Sequence, residues 1–525
     1  MRSFLEERVE KNILKPFLYY EDQSVTYEQF NRHVNRVAHG LQELGVRKGD
    51  KVSLMLPNVP EFLYFWFGLA KIGAVMVPVN TGFKPLEASY VVNHSDSVGL
   101  VVSSEHLPAA TAIKRECQAL RWVVCTDDEA ADAIDYRQMC REMPEETVAV
   151  DVSDEDLAQI IYTSGTTGFP KGVMHAHRDL TMTGEAFKLC ARLNPEDRLM
   201  IILPLFHANA QYYSTMGALA AEASLILIRR FSAGAFWEQA VHYGATEFNF
   251  VGAVGRILSR RPRKEFRSSH GIRTAYGALV PSDIYKHFTE VFKIANVIDG
   301  YGLTEVPRVS QNPIGGKIKI GSMGLPARHP NPNVTFAEVR VVNEEGRDVP
   351  PGEKGELIIR SPVMTKGYYK DEAATSKTIR KGWLYSGDYV YRDEEGYLFF
   401  VDRKKDIIRR KGENISATEI ELAINENKKI LESAVIGVPS ELGEDEILAC
   451  VVSKPDETVT AEDVIDQCRE RLALFKVPRY VQFRDTLPKT STERIAKFLL
   501  KAEEDMLSRS RDMASYIMEF GASRG

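Results

Sequence analysis

The stretch 162-YTSGTTGFPKGVMH-175 decides how the rest of the chain is read. It follows an apolar, strand-like run, 157-LAQIIYT-163, and crowds glycines, hydroxyl residues and one lysine together. Glycines let a backbone turn sharply and aim several N–H groups at one point, a nest for anionic oxygens. Gly165 and Gly168 supply that freedom, Thr163, Ser164, Thr166 and Thr167 add hydroxyl donors, and Lys171 adds a mobile positive charge. The string is not a Walker A loop: its glycines are spaced otherwise and Pro170 precedes Lys171. SGTTG alone is also the composition of an ordinary turn. The continuation into PKG is what points to phosphate.

Three further segments carry chemistry. In 299-DGYGLTE-305, Gly300 and Gly302 bring the backbone close to something flat, Tyr301 offers an aromatic face, and Thr304 a hydroxyl. Glu305 is a carboxylate able to hold Mg²⁺. Alone, the segment reads equally as a strand end turning into a helix. In 383-WLYSGDYV-390, Asp388 is followed by Arg403. A carboxylate accepts two hydrogen bonds from a ribose diol, and an arginine reaches the same sugar or a phosphate. Alone, these are a turn aspartate and a surface arginine. The last segment, 487-LPKTSTERIAK-497, is a basic, hydroxyl-rich turn.

With 525 residues the chain is too long for one core. Its hydrophobic fraction of 44% and charged fraction of 27% are those of an ordinary soluble globular protein. A net charge of −6 argues against a broad nucleic-acid surface. The six cysteines form no CxxC pair, so neither a zinc site nor a disulfide framework is expected, and a reducing, cytoplasmic setting is. The start, MRSFLEERVEKN, has no signal-peptide apolar core, and the final SRG is no peroxisomal address. No apolar run reaches membrane-spanning length, and 61-EFLYFWFGLAKIGAVMVPV-79 reads as a buried helix followed by a strand.

Strand-like and helix-like segments alternate up to about residue 334, which predicts α/β architecture with largely parallel, buried sheets. Two hairpins follow, 334-VTFAEVRVVNEEGRDVPPGEKGELIIRS-361 and 387-GDYVYRDEEGYLFFVDR-403. Beyond the charged run 403-RKKDIIRRKGENI-415 the texture becomes α+β. The expected domains are therefore 1–402 and 403–525, divided at about Asp402–Lys405, with a frayed tail after about 507.

In this order, YTSGTTGFPKG, YGLTE, SGD, DRKKDIIRRKGENI and LPKTSTERIAK resemble the acyl-adenylate-forming superfamily, from residue 26 to about 500. Its members include acyl-CoA synthetases, free-standing adenylation domains and firefly luciferase. The resemblance implies a large N-terminal α/β domain with a distorted β-barrel segment and a small mobile α+β C-terminal domain. It implies that a carboxylic acid attacks the α-phosphate of ATP to give acyl-AMP and pyrophosphate, and that a thiol, usually of CoA, then displaces AMP. It places Thr163, Ser164, Gly165, Thr166, Thr167, Gly168 and Lys171 around the phosphates, Tyr301 and Gly302 near adenine, and Thr304 at the α-phosphate. Glu305 would ligate Mg²⁺, Asp388 and Arg403 would hold the ribose, and Lys405 would be the hinge. The segment 411-KGENI-415, with Gly412, would line the pantetheine channel, and His207 would gate the carboxylate. Gly252, Ala253, Gly277 and Ala278 would leave room for the acyl group. ATP, Mg²⁺ and CoA are the implied cofactors, with a homodimer as one oligomeric outcome.

The chain departs from the family at 491-STERIAK-497, where Arg494 stands in place of the usual lysine. Arginine keeps the charge but not the shape. Arg494 is the expected cation of the adenylation step, with Lys489 and Lys497 as alternatives. The pocket segments carry no acidic partner for an amino group, so a fatty, aryl or other organic acid is expected rather than an amino acid. The run 231-FSAGAFWEQAVHYGAT-246 is similar to the carnitine/crotonobetaine-CoA ligase branch. Arg308 either pairs a second substrate carboxylate or is a surface or ATP-side residue. An adenylating enzyme that loads a carrier protein, a luciferase-like oxygenase, and a nucleotide-binding protein with impaired adenylation remain the alternatives.

Overall fold

The computed structural model describes residues 1–522 except 130, 164–169, 279, 281, 404–406, 411, 441–442, 456, 489–494, 496 and 504. The chain divides into two compact units. Met1–Thr81, Ala88–Tyr162 and Gly172–Asp402 form the larger, and Gly82–Glu87, Thr163–Lys171 and Arg403–Gly525 the smaller.

Local chemistry sets the first elements of the larger unit. Thr26 caps the helix Tyr27–Glu43: its Oγ1 accepts from the Gln29 N–H at 3.2 Å, and the Gln29 Oε1 accepts from the Thr26 N–H at 2.9 Å. Phe30, Val34, Val37, Ala38 and Leu41 then recur at helical spacing and are buried. The helix Pro60–Lys71 is apolar on nearly every side and correspondingly buried. The Lys71 ammonium at its end survives burial by donating to Glu6 Oε1 at 2.7 Å and Asn31 Oδ1 at 2.8 Å. Among the described residues no helix is long and apolar enough to cross a membrane.

Among the described residues this unit holds a nine-stranded and a seven-stranded sheet, both parallel for most of their width. In the first, Glu247–Val251, Thr274–Ala278 and Asn296–Tyr301 are parallel neighbours, with Val251 opposite Ala278 and Ala278 opposite Gly300. Their C-terminal ends are thus level. A separate antiparallel sheet, built from Glu338–Val342, Gly355–Arg360, Ile379–Arg380, Trp383–Arg392 and Leu398–Arg403, is the half-barrel segment and contains both expected hairpins.

In the smaller unit Ile407–Arg410 pairs with Glu413–Ser416, a hairpin inside the charged run. A four-stranded sheet, Ile430–Pro439, Asp445–Ser453, Tyr480–Phe483 and Arg511–Asp512, packs on the helices Ala417–Asn425 and Ala461–Arg471. As far as residue 522 the tail is not frayed, contrary to expectation. Arg511–Asp512 adds the edge strand, Ala514–Ala522 is helical, and Met513 is buried in the core with Tyr516 and Ile517 against it. Sequence polarity misled because three apolar side chains suffice to anchor a short terminal element.

One buried acid has a stability consequence. Glu247 is buried, and among the described residues neither carboxyl oxygen is hydrogen-bonded. Burial, with the Asp197 carboxylate nearby, holds its pKa well above the usual 4.5. The folded chain then keeps a proton that the unfolded chain releases, so this group's contribution to stability falls as pH rises above 4.5. Glu247→Gln is expected to be more stable than the parent at pH 8 and to flatten the profile, by at most about 1.4 kcal/mol per pH unit. Urea unfolding at a series of pH values checks this.

Candidate active site

The parallel strands are buried along their length and open at their C-terminal ends. Val251, Gly252, Ala278, Gly302, Leu303, Thr304 and Glu305 are half-buried there, as are Phe206, His207, Ala208 and Asn209. This edge is where open parallel sheets bind ligands. Gly252 opens the helix Gly252–Arg260, and a Cβ added to it meets nothing within 4 Å. Free space adjoins it. Gly277 is different. A Cβ there would lie 2.6 Å from Phe250 Cζ and 2.7 Å from Val280 Cγ2. Glycine at 277 lets Phe250 and Val280 pack against the strand, where a side chain would clash. Ala278 is half-buried at the edge, and the Ala253 side chain lies outside the described residues.

At Gly300 and Gly302 the chain itself comes close on the side a Cβ would take. A Cβ on Gly300 would lie 2.3 Å from the Tyr276 hydroxyl. One on Gly302 would lie 2.1 Å from the Pro307 carbonyl oxygen and 2.7 Å from the Tyr213 hydroxyl.

Glu305 is held from two sides. The Tyr368 hydroxyl donates to its Oε1 at 2.7 Å, and the Thr365 N–H donates to its carbonyl oxygen at 2.7 Å. Burial and then the Glu305 charge push the Tyr368 phenol up, so it stays a donor. The loop that carries Thr365 and Tyr368 is laced to Gly172 and Met174: Lys366 N donates to Met174 O at 3.1 Å and Tyr369 N to Gly172 O at 2.8 Å. His175 meets the Thr304 carbonyl oxygen through Nε2 at 2.7 Å, and since a carbonyl only accepts, that nitrogen carries the proton. The Tyr301 hydroxyl donates to Asp388 Oδ2 at 2.5 Å, and both residues are buried. Among the described residues no group of three or more His, Cys, Asp or Glu could hold a metal ion. Glu305 supplies a carboxylate oxygen, a donor of the kind that suits Mg²⁺ carried mainly by phosphate oxygens.

His207 sits in a loop fixed by polar side chains. Asn58 Oδ1 accepts from Leu205 N at 2.7 Å, Asn58 Nδ2 donates to Leu203 O at 3.0 Å, and Gln211 Nε2 donates to Leu205 O at 2.6 Å. Asn249 Nδ2 donates to Asn209 Oδ1 and Ser214 Oγ, each at 2.9 Å. Thr163 ends the strand Leu157–Thr163, and Lys171 opens Lys171–Ala176. Ser164, Gly165, Thr166, Thr167, Gly168, Lys405, Lys489 and Arg494 lie outside the described residues, as does the side chain of Arg403. Gly412 has φ +79° and donates its N–H to Glu444 Oε2 at 3.1 Å. Lys497, an alternative to Arg494, is paired with Glu421 at 2.6 Å.

Sequence reading missed Asn58, Asn249, Tyr213, Tyr276 and Tyr368. Asn249 announced itself as the polar residue inside an apolar strand, FNFV. Tyr368 and Tyr213 carry no local signal, since their roles arise only from what folds against them. Arg308 is not a surface residue: it is 0% exposed.

Comparison with known proteins identifies the family. The AMP-binding enzyme family matches residues 5–369, and the AMP-binding enzyme C-terminal domain matches residues 419–494. The crotonobetaine/carnitine–CoA ligase of Escherichia coli is 34% identical over 489 residues, 91% of this chain and 93% of that protein. A double mutant of o-succinylbenzoate CoA synthetase from Bacillus subtilis superposes with a TM-score of 0.83 at 25% identity, covering 98% of this chain and 99% of the other. A Mycobacterium tuberculosis fatty acyl CoA synthetase does so with 0.70 at 28% identity, covering 95% and 97%.

Proposed function

Because the chain belongs to the AMP-binding enzyme family, we propose that it is an AMP-forming acid–CoA ligase. In the first step a carboxylate oxygen of the acid attacks the α-phosphorus of ATP. The bond from that phosphorus to the bridging oxygen breaks, and pyrophosphate leaves. In the second, the sulfur of CoA, its proton lost to solvent, attacks the acyl carbon. The bond to the AMP oxygen breaks, leaving the thioester.

The observation that carries this reading is the placement of Glu305. Glu305 is half-buried at the C-terminal end of the parallel sheet, its carboxylate held by the Tyr368 hydroxyl at 2.7 Å. Mg²⁺ bound with ATP supplies charge neutralisation at the phosphate oxygens. Glu305 would hold it, Tyr368 orients that carboxylate, and His175 fixes the Thr304 backbone next to it. The Tyr301–Asp388 hydrogen bond presents the nucleoside side of the site as one unit. Thr163, Lys171 and the loop between them are proposed for the β- and γ-phosphates, and His207 for orienting the attacking carboxylate. Residues 1–402 are proposed to hold ATP and the acid, with Arg403 beside Asp388 at the ribose; 403–525 is proposed to serve both steps by turning about the hinge Lys405, with Arg494 for adenylation and Gly412 for thioester formation. The six cysteines are free and buried, as thiols in a reducing compartment are, and the cytoplasm is the proposed location.

The test is pyrophosphate release from ATP–Mg²⁺ across aliphatic, aryl, betaine and dicarboxylic acids, with and without CoA. CoA-dependent turnover with one class supports the ligase. Turnover indifferent to CoA indicates an adenylating enzyme with another acceptor. ATP binding without pyrophosphate release favours impaired adenylation through Arg494. Lys405→Pro is expected to slow thioester formation about tenfold while sparing pyrophosphate release. Rapid-quench measurement of the two half-reactions separates them.

A further inference from the structure

Asn249 is a polar side chain inside an apolar strand, 2% exposed, and the reaction just described gives it no part. Its Nδ2 donates to Asn209 Oδ1 and Ser214 Oγ, each at 2.9 Å. Among the described residues its own Oδ1 finds no donor. A buried amide oxygen left unmatched is destabilising, so stability does not account for an asparagine here.

What Asn249 does is set its neighbour. Asn209 turns its oxygen toward Asn249, and an amide that turns its oxygen one way turns its NH₂ the other. Among the described residues the Asn209 Nδ2 has no acceptor, and Asn209 is half-buried rather than sealed.

Strand geometry says which way that wall faces. Side chains two apart on a strand share a face, so Asn249 and Val251 look the same way. Tyr276 and Ala278 stand opposite them, in register, on the neighbouring parallel strand. The π-helical turn Asn209–Thr215 covers this face: besides the two bonds to Asn249, its Tyr213 meets Tyr276 edge-on at 5.3 Å. Phe250 points to the opposite face, with its ring 4.9 Å from that of Phe288. Asn209 opens the turn two residues after His207 and bonds the sheet one pleat repeat before Val251 and Ala278, which are half-buried at its open end. Just beyond Val251, Gly252 adjoins free space.

We infer that Asn209 is a wall residue of the acyl site and that its Nδ2 selects acids whose acyl part carries an oxygen acceptor, a keto or ether oxygen, over hydrocarbon acids of the same shape. Ala208, Val251 and Ala278 beside it offer no side-chain hydrogen bond, so one polar group decides. Asn209 touches the oxygen. Asn249 is a positioning residue that holds the Asn209 amide with its nitrogen outward. This deepens the ligase reading and rests on it.

The probes are pairs of near-equal shape: 5-oxohexanoic against 5-methylhexanoic acid, 4-oxohexanoic against 4-methylhexanoic acid, and 4-acetylbenzoic against 4-isopropylbenzoic acid. kcat/KM for pyrophosphate release is measured with each. In at least one pair the oxygen-bearing acid is expected to lead by about tenfold. Asn209→Leu keeps the bulk without the NH₂ and should bring that ratio to about one, chiefly through KM. Asn209→Asp still accepts from Asn249 but faces the acid with an oxygen, and should reverse the preference. Asn249→Leu frees the Asn209 amide and should cut the ratio about threefold. A ratio of two acids on one variant does not depend on how much of it is folded, so lost stability alone leaves it unmoved. Equal or poorer use of the oxygen-bearing acid in every pair, or a preference that survives Asn209→Leu, overturns the proposal. Calorimetric titration of the same acids with α,β-methylene ATP present reads the order without turnover. An order kept without pyrophosphate release, and lost in Asn209→Leu, sinks the ligase reading and keeps the Asn209 contact. Turnover that ignores the oxygen sinks the contact and keeps the ligase. Binding of none of these acids sinks both.

Discussion

Glu305→Gln is expected to lower ATP–pyrophosphate exchange by about a thousandfold, or about 4 kcal/mol of transition-state stabilisation. Glutamine keeps the shape and can still accept from the Tyr368 hydroxyl, which now lies 2.7 Å from Oε1. The backbone bond from Thr365 N to the residue 305 carbonyl oxygen, 2.7 Å, does not depend on the side chain. The fold should therefore hold, with stability changed by less than about 1 kcal/mol. What is lost is a negative oxygen able to ligate Mg²⁺, since a neutral amide binds a hard cation far less well. Exchange measured against Mg²⁺ concentration separates causes. A loss that excess Mg²⁺ partly restores places Glu305 at the metal. Undiminished exchange in the variant would remove it from the mechanism.

Gly302→Ala should both destabilise the larger unit and damage the site. The added carbon would stand 2.1 Å from the Pro307 carbonyl oxygen and 2.7 Å from the Tyr213 hydroxyl. A flexible side chain can swing away from such an approach; a backbone carbonyl cannot. Overpacking of this kind costs about 3 kcal/mol. The strand end would have to move, and Tyr301, Thr304 and Glu305 move with it. Gly252→Ala is the matched comparison, because its Cβ meets nothing within 4 Å. It should change stability by less than about 1 kcal/mol while trimming the space beside the acid. Urea unfolding of both variants checks the contrast. Equal midpoints would mean that residues 302 and 307 are not tightly opposed.

Both predictions lie on motifs that are legible in the linear sequence. YGLTE is contiguous, so Tyr301, Thr304 and Glu305 need only a strand end to act together, and the apolar run before them announces that strand. The capping box at Thr26 and Gln29, the amphipathic helix after it, and the paired hairpins are likewise set by residues a few positions apart. The errors fell where distant segments meet. Gly277 carries no sign in the linear sequence that Phe250 and Val280 pack against it. The tail reads as frayed until Met513 finds a core.

Local spacing thus determined the elements and their alternation, and the ordered motifs carried a resemblance that the family match bears out. Periodicity and turn chemistry act over one or two turns of chain and do not depend on what packs later. Only the tertiary structure decided that Tyr368 holds Glu305, that Tyr301 binds Asp388, and that Arg308 lies sealed among Phe187, Tyr213 and Tyr276. Those partners come from segments far apart in sequence. Their energies arise from burial and close approach, which exist only once parallel strands and the helices over them have enclosed a common core.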